Sequence, residues 1–238
     1  MYPTTLMTTT FVPINGYNRR MADSTLVALG SIAERRWGLF STAQAEAAGV
    51  ARKKLSRMAS SGAIKRVAHG VYRMTGAPPQ EHEAIYATWL ALGGATSPRT
   101  PDGVAPVVCA GAAAAVVHNV GDFFPDRYDF MVPSRKGTRI PGVRLRIRDL
   151  ARDDVIPVNG LPTLTVERTI ADLVEIGTDN SLIADAVRDA IRADKLIAPQ
   201  HLVDYLTPMA TRRKTTGHAL ADDLFELAGV HPAGWTAA

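Results

Sequence analysis

Between Ala47 and Gln80 the chain carries seven lysines and arginines and not one aspartate or glutamate. A solvated surface normally mixes both signs, so a stretch this one-sided points to a polyanionic partner. The spacing sharpens the reading. At 100° per residue Ala51, Leu55, Met58 and Ala59 share one helix face, Lys53, Ser56, Arg57 and Ser60 lie opposite, and Arg52 and Lys54 flank them. A cationic face of small residues suits a major groove. Arginine can donate two hydrogen bonds to a guanine, and Lys and Ser reach phosphates or base edges. The DNA-contact candidates are Arg52, Lys53, Lys54, Ser56 and Arg57, joined by Lys65, Arg66, His69 and Arg73.

The flanking sequence must position this face. Asp23 or Ser24 can cap a first helix in which Leu26, Leu29, Ile32 and Ala33 recur at helical spacing, ending near Trp37-Gly38. Ser41 is a good cap for a short second helix over Thr42–Ala48, and Gly49 supplies its left-handed stop. The third helix, about 51–61, starts on Ala51, which forgoes a side-chain cap worth about 0.5–2 kcal/mol. Next come Ala63–Val67 and Gly70–Arg73, two β-prone runs around a turn at Ala68-His69-Gly70, which read as a hairpin wing. A short helix, a glycine turn, a basic amphipathic helix and a hairpin predict a winged helix-turn-helix over 23–76. Residues 1–22, rich in Thr, Pro and Asn, read as a flexible tail with the translation start at Met1 or Met21.

Residues 80–238 differ in charge. Residues 1–80 hold eleven Lys/Arg against three Asp/Glu, whereas 81–238 hold sixteen against twenty. The boundary is Thr75-Gly76-Ala77-Pro78-Pro79. Helices are expected over 81–92, 110–118, 166–176, 181–193, 199–206 and 218–229, and strands over 127–132 and 143–148. The fold class is thus α/β (α+β): a winged helix followed by a larger mixed domain with a small central sheet and C-terminal helices. Arg144, Arg146 and Arg148 alternate with Leu145 and Ile147, giving one basic and one buried strand face. With Arg135, Lys136 and Arg139 they form a second candidate patch for nucleic acid or an acidic partner; the alternative is a solvated sheet face.

Catalytic chemistry finds little support. The six histidines are scattered, and Cys109 is the single cysteine, excluding an intramolecular disulfide and fitting a reducing cytosol. No Gly-rich phosphate loop or Gly-x-Ser-x-Gly elbow occurs. Asp122, Asp126 and Asp129 resemble a carboxylate cluster, but Phe123-Phe124-Pro125 interrupts it. No apolar run reaches the roughly 18–20 residues that span a membrane, and no export signal is expected. The expectation is a cytoplasmic protein that is not an enzyme and holds no cofactor or metal.

Two separated stretches carry a family resemblance. The first runs from Gly38-Leu39-Phe40-Ser41-Thr42-Ala43-Gln44-Ala45-Glu46-Ala47-Ala48-Gly49-Val50 through Leu55, Gly62, Ile64, Val67 and His69-Gly70-Val71-Tyr72. The second is Asn159-Gly160-Leu161-Pro162-Thr163-Leu164-Thr165-Val166-Glu167-Arg168-Thr169-Ile170-Ala171-Asp172-Leu173. In order and spacing they resemble the AbiEi antitoxins of type IV toxin–antitoxin systems, in their mycobacterial and actinobacterial branch, over about residues 24–205. The resemblance implies a nucleotidyltransferase toxin as partner, repression of the shared operon through promoter repeats, and an antitoxic role for the second domain. Within the second stretch, Arg168 and Asp172 are four apart on a helix and are expected to pair on its surface, and Gly160-Leu161-Pro162 to form a strand-ending turn. Two alternatives stay open: a nuclease positioned by its winged helix, and a module that occludes a toxin without touching DNA. Operator DNA, the toxin and self-association on DNA are the expected partners; a membrane is not.

Overall fold

The computed structural model describes residues 14–236, with side chains from residue 24 onward. The first helix, α1, runs Ile14–Ala33 and ends in a 3-10 turn, Glu34–Arg36, capped by Trp37 in the left-handed region. Thus α1 begins well before the cap expected at Asp23 or Ser24, because no proline interrupts the segment. Of the tail expected over residues 1–22, residues 1–13 lie outside the described residues and 14–22 are helical. Leu29 and Ala33 are buried as the periodicity requires, but Leu26 stays 37% exposed.

After β1 (Leu39–Ser41), Ser41 caps α2 (Thr42–Ala47) with a full capping box to Gln44. A turn then leads to α3 (Arg52–Ser60), whose cap residue, Ala51, offers no side-chain bond. Strands β2 (Ile64–Ala68) and β3 (Val71–Met74) form the expected hairpin. β1 adds to its far side, giving a three-stranded antiparallel sheet in the order β1-β3-β2. Leu29, Ala33, Phe40, Ala45, Val50, Leu55 and Ile64 close a small core beneath it. This is the arrangement of a winged helix-turn-helix.

The remainder is built on a five-stranded mixed sheet in the order β6-β5-β4-β8-β7. It comprises β4 (Val108–Ala110), β5 (Tyr128–Val132), β6 (Val143–Ile147), β7 (Val155–Val158) and β8 (Leu161–Leu164). Helices α4 (Glu83–Ala91) and α5 (Gly111–His118) pack into its central core, while α6 (Val166–Glu175), α7 (Asn180–Arg192), α8 (Pro199–Arg212) and α9 (Gly217–Ala228) make a helical layer. The expected helices are present within a few residues, except that α8 runs six residues beyond Leu206, through Pro208. Within this stretch Thr207 and Thr211 hydroxyls donate to carbonyls one turn earlier. α9 approaches α8 so closely that a Cβ on Gly217 would lie 2.5 Å from the Val203 carbonyl oxygen.

β7 and β8 form a hairpin where a strand-ending turn was expected. Asn159 (φ 48°) and Gly160 (φ 80°) are both left-handed, the demand of a type I′ turn whose backbone twist matches its flanking strands. Pro157 faces Pro162. In a two-residue hairpin this second pair exchanges no hydrogen bonds, so neither missing N–H weakens the ladder.

The two parts of the chain share a core. Leu39 and Val71 of the winged helix pack in one cluster with Tyr86 and Trp89 of α4, Val117 of α5 and Leu161 of β8. The Trp37 indole donates to the Asn159 carbonyl (3.2 Å), and Arg73 pairs with Glu83 at 2.6 Å.

Candidate nucleic-acid interface

The site is assembled from α3 outward. Leu55 is fully buried and fixes the helix against the small core, turning the opposite face to solvent. Lys53, Ser56 and Arg57 on that face are exposed, as is Lys65 on β2. Arg52 is also exposed but is held by the Glu46 carboxylate of α2 at 2.8 Å, an ion pair that raises the arginine pKa further. Lys54 is half-buried and bonded to the Thr25 hydroxyl of α1, which ties the third helix to the first. On the wing, the Arg66 guanidinium lies 3.4 Å from Nδ1 of His69, at the turn. The wing itself is pinned: Thr42 N–H donates to the Gly70 carbonyl (2.7 Å), and the Thr42 hydroxyl does so at 3.1 Å.

Arg73 departs from expectation. Its side chain is only 12% exposed and bonded to Glu83. It sits in β3, the central strand of the small sheet, facing α4 rather than solvent, so it is an internal fastener between the two parts of the chain. Nothing local in the sequence marks Glu83 as its partner.

The second candidate patch is also rearranged. Arg144 makes a two-pronged pair with Asp129, one arm at 2.7 Å. Arg146 grips Asp172 in the same way, one arm at 2.6 Å, and Arg148 reaches Glu175 at 2.6 Å. Lys136 donates to the Leu92 carbonyl, and its burial lowers the ammonium pKa. Arg135 and Arg139 are exposed. The strand arginines are therefore neutralised one by one, neither forming an open basic patch nor standing as a plainly solvated face. The expected alternation fails too, since Ile147 is 53% exposed at the end of the edge strand β6.

Asp172 is the hub of that arrangement. It is fully buried, accepts from the Gly111 N–H at 2.9 Å and meets Arg146, not Arg168. The i, i+4 pair expected on the surface of α6 is absent because the two side chains have different destinations. Arg168 instead lies 5.2 Å from the centre of the Tyr205 ring, a cation–π distance. Asp129 is buried with Arg144 rather than grouped with Asp122 and Asp126. Among the described residues no group of three or more His, Cys, Asp or Glu could hold a metal ion, and no helix is long and apolar enough to cross a membrane.

One site feature escaped sequence reasoning. A cleft of about 450 Å³ runs between α3, the wing and the turn after α4, lined by Arg52, Ser56, Arg66, His69 and Thr96 among others. Thr96 lies in a loop far along the chain, and no spacing rule connects it to α3.

Comparison with known proteins follows the same division. Residues 29–75, the helices and hairpin that build the interface, match a family model described as a transcriptional regulator, the AbiEi antitoxin. The matched segment carries every DNA-contact candidate named above. Comparison with curated proteins gives no match. The crystal structure of the RV2827C protein from Mycobacterium tuberculosis is similar in fold, with a TM-score of 0.52 and 16% identity over 87% of this chain and 77% of that one. That likeness of fold reaches beyond the matched segment into the sheet and helical layer.

Proposed function

We propose that this protein is a DNA-binding repressor that serves as the antitoxin of a type IV toxin–antitoxin module. In this reading it opposes a nucleotidyltransferase toxin and represses the operon that encodes both. The observation that carries the reading is the exposed Lys53, Ser56, Arg57 face on a helix anchored by Leu55, within a segment that matches a transcriptional-regulator antitoxin family. Small and cationic side chains on a rigid helix meet the geometric requirement for base-edge contact, and the wing offers Lys65 and Arg66 to the backbone. The toxin is assigned to the remainder of the chain, where Arg144, Arg146 and Arg148 are each paired with a carboxylate from another element. The protein works in the cytoplasm, where its operator lies.

Binding to the DNA upstream of its own gene tests the reading. Changing Lys53 and Arg57 to Ala is expected to cost about 1–3 kcal/mol for each residue that makes a good base contact, and to relax sequence preference. Two copies docked on one duplex would require half-sites about one helical turn apart. Unchanged affinity in the double variant would refute the assignment of α3 as the reading helix.

A further inference from the structure

The cleft beside α3 is walled on one side by the winged helix and on the other by a turn that belongs to the second part of the chain. From α2, α3 and the wing come Thr42, Arg52, Ser56, Arg66 and His69; from the turn after α4 comes Thr96. No carboxylate is among the lining residues. The turn is stiff: Thr96 N–H and Ser97 N–H both donate to the Gly93 carbonyl, at 3.0 and 2.9 Å. Gly93 is left-handed (φ +79°), and a Cβ there would lie 3.4 Å from the Thr96 hydroxyl, 3.2 Å from that of Ser97 and 3.7 Å from the Lys136 ammonium. Lys136 approaches from the loop after β5 and holds the end of α4 through the Leu92 carbonyl. An ammonium has three donors, and this bond uses one of them.

The resulting concavity has guanidinium groups and an imidazole on one wall, hydroxyls on both, and an ammonium behind the second. We infer that it seats the sugar-phosphate backbone of the operator, so that the turn Gly93–Ser97, backed by Lys136, is part of the DNA-binding surface. The inference rests on the DNA-binding reading above and extends it to a segment outside the matched family region. Phosphodiester oxygens are the ligand that this set fits: singly charged acceptors, met by several donors, with no carboxylate among the lining residues. Glu46 lies at the rim, paired with Arg52. A phosphate arriving at Arg52 takes over from that exposed carboxylate, a pair of little net strength in water.

The test uses the full-length protein, because Leu39 and Val71 of the winged helix are buried against the rest of the chain. Thr96 is exposed, so a charge can be placed there without disturbing a core. Affinity is measured for the gene's own upstream duplex and for a scrambled duplex of equal length. Thr96→Glu is expected to weaken both by about tenfold, since it sets a like charge against a phosphate. Thr96→Lys is expected to tighten both and steepen the log–log salt slope by about one. Gln200→Glu, on α8 in the helical layer, is the control for charge at a distance and should change neither. If Thr96→Glu matched Gln200→Glu while Lys53→Ala still weakened binding, the turn would lie off the DNA and the inference would fall with the helix reading intact. If the unaltered protein bound neither duplex, both would fall.

Discussion

The winged helix and the sheet behind it use the same currency of side chains to opposite ends. In α3 and the wing, Lys53, Arg57 and Lys65 stand in solvent, and Arg52 has only a surface carboxylate beside it. In β6 and just past its end, Arg144, Arg146 and Arg148, at alternate positions, are each matched to an acid from another element: Asp129 of β5, Asp172 and Glu175 of α6. As sequence, Ala47–Gln80 and Met131–Arg148 are both basic stretches that contain no acid. Their difference lies in where the chain brings its carboxylates. Charges left without partners keep an excess field that a polyanion can use; charges paired in a sheet's edge strand fix its register and orientation against the helix above.

The contrast can be broken first at Asp172. Removing one member of a buried ion pair strands the other in low dielectric, at a cost of about 3–5 kcal/mol. Asp172 has no solvent exposure and also takes the Gly111 N–H, so Asp172→Ala should lower unfolding stability by that amount in urea titration, with no direct effect on operator contacts. A loss under 1 kcal/mol would mean that the pair is not closed from water. Next in size is Ser41→Ala, which removes the cap that starts α2. About 0.5–2 kcal/mol of stability is expected to go, visible as a lower melting temperature, because the helix-turn-helix entry depends on it. The smallest effect is at Arg148, 41% exposed in its pair with Glu175. Arg148→Ala should change stability by about 0–1 kcal/mol and leave DNA affinity untouched; a clear loss of DNA binding would reopen the second patch as an interface.

How much could be read in advance follows from how local each determinant is. Helices α2 and α3, their cap and their stop were legible because Ser41, Gly49 and Leu55 act within a turn or two. The hairpin β7–β8 was also encoded locally, by Asn159-Gly160 between apolar residues, and that signal was overlooked. The fates of Arg73, Arg144, Arg146 and Arg168 were not legible. Each depends on a partner 10 to 37 residues away that only the folded sheet and helices deliver. Period-2 alternation predicts which side of a strand a residue takes, not what it meets there. The same limit hid Thr96, whose place at the cleft beside α3 comes from tertiary packing of α4 against the wing.

The central claim is that Lys53, Arg57 and Lys65 of α3 and the wing, not the paired Arg144, Arg146 and Arg148, meet the DNA backbone. Its most direct test is the dependence of operator affinity on salt for Lys65→Ala beside Arg148→Ala. A lysine that neutralises one phosphate contributes about 0.9 to the slope of log K against log salt. The account predicts that slope shallower by about one for Lys65→Ala and unchanged for Arg148→Ala. The reverse pattern, a shallower slope only when Arg148 is removed, would contradict it.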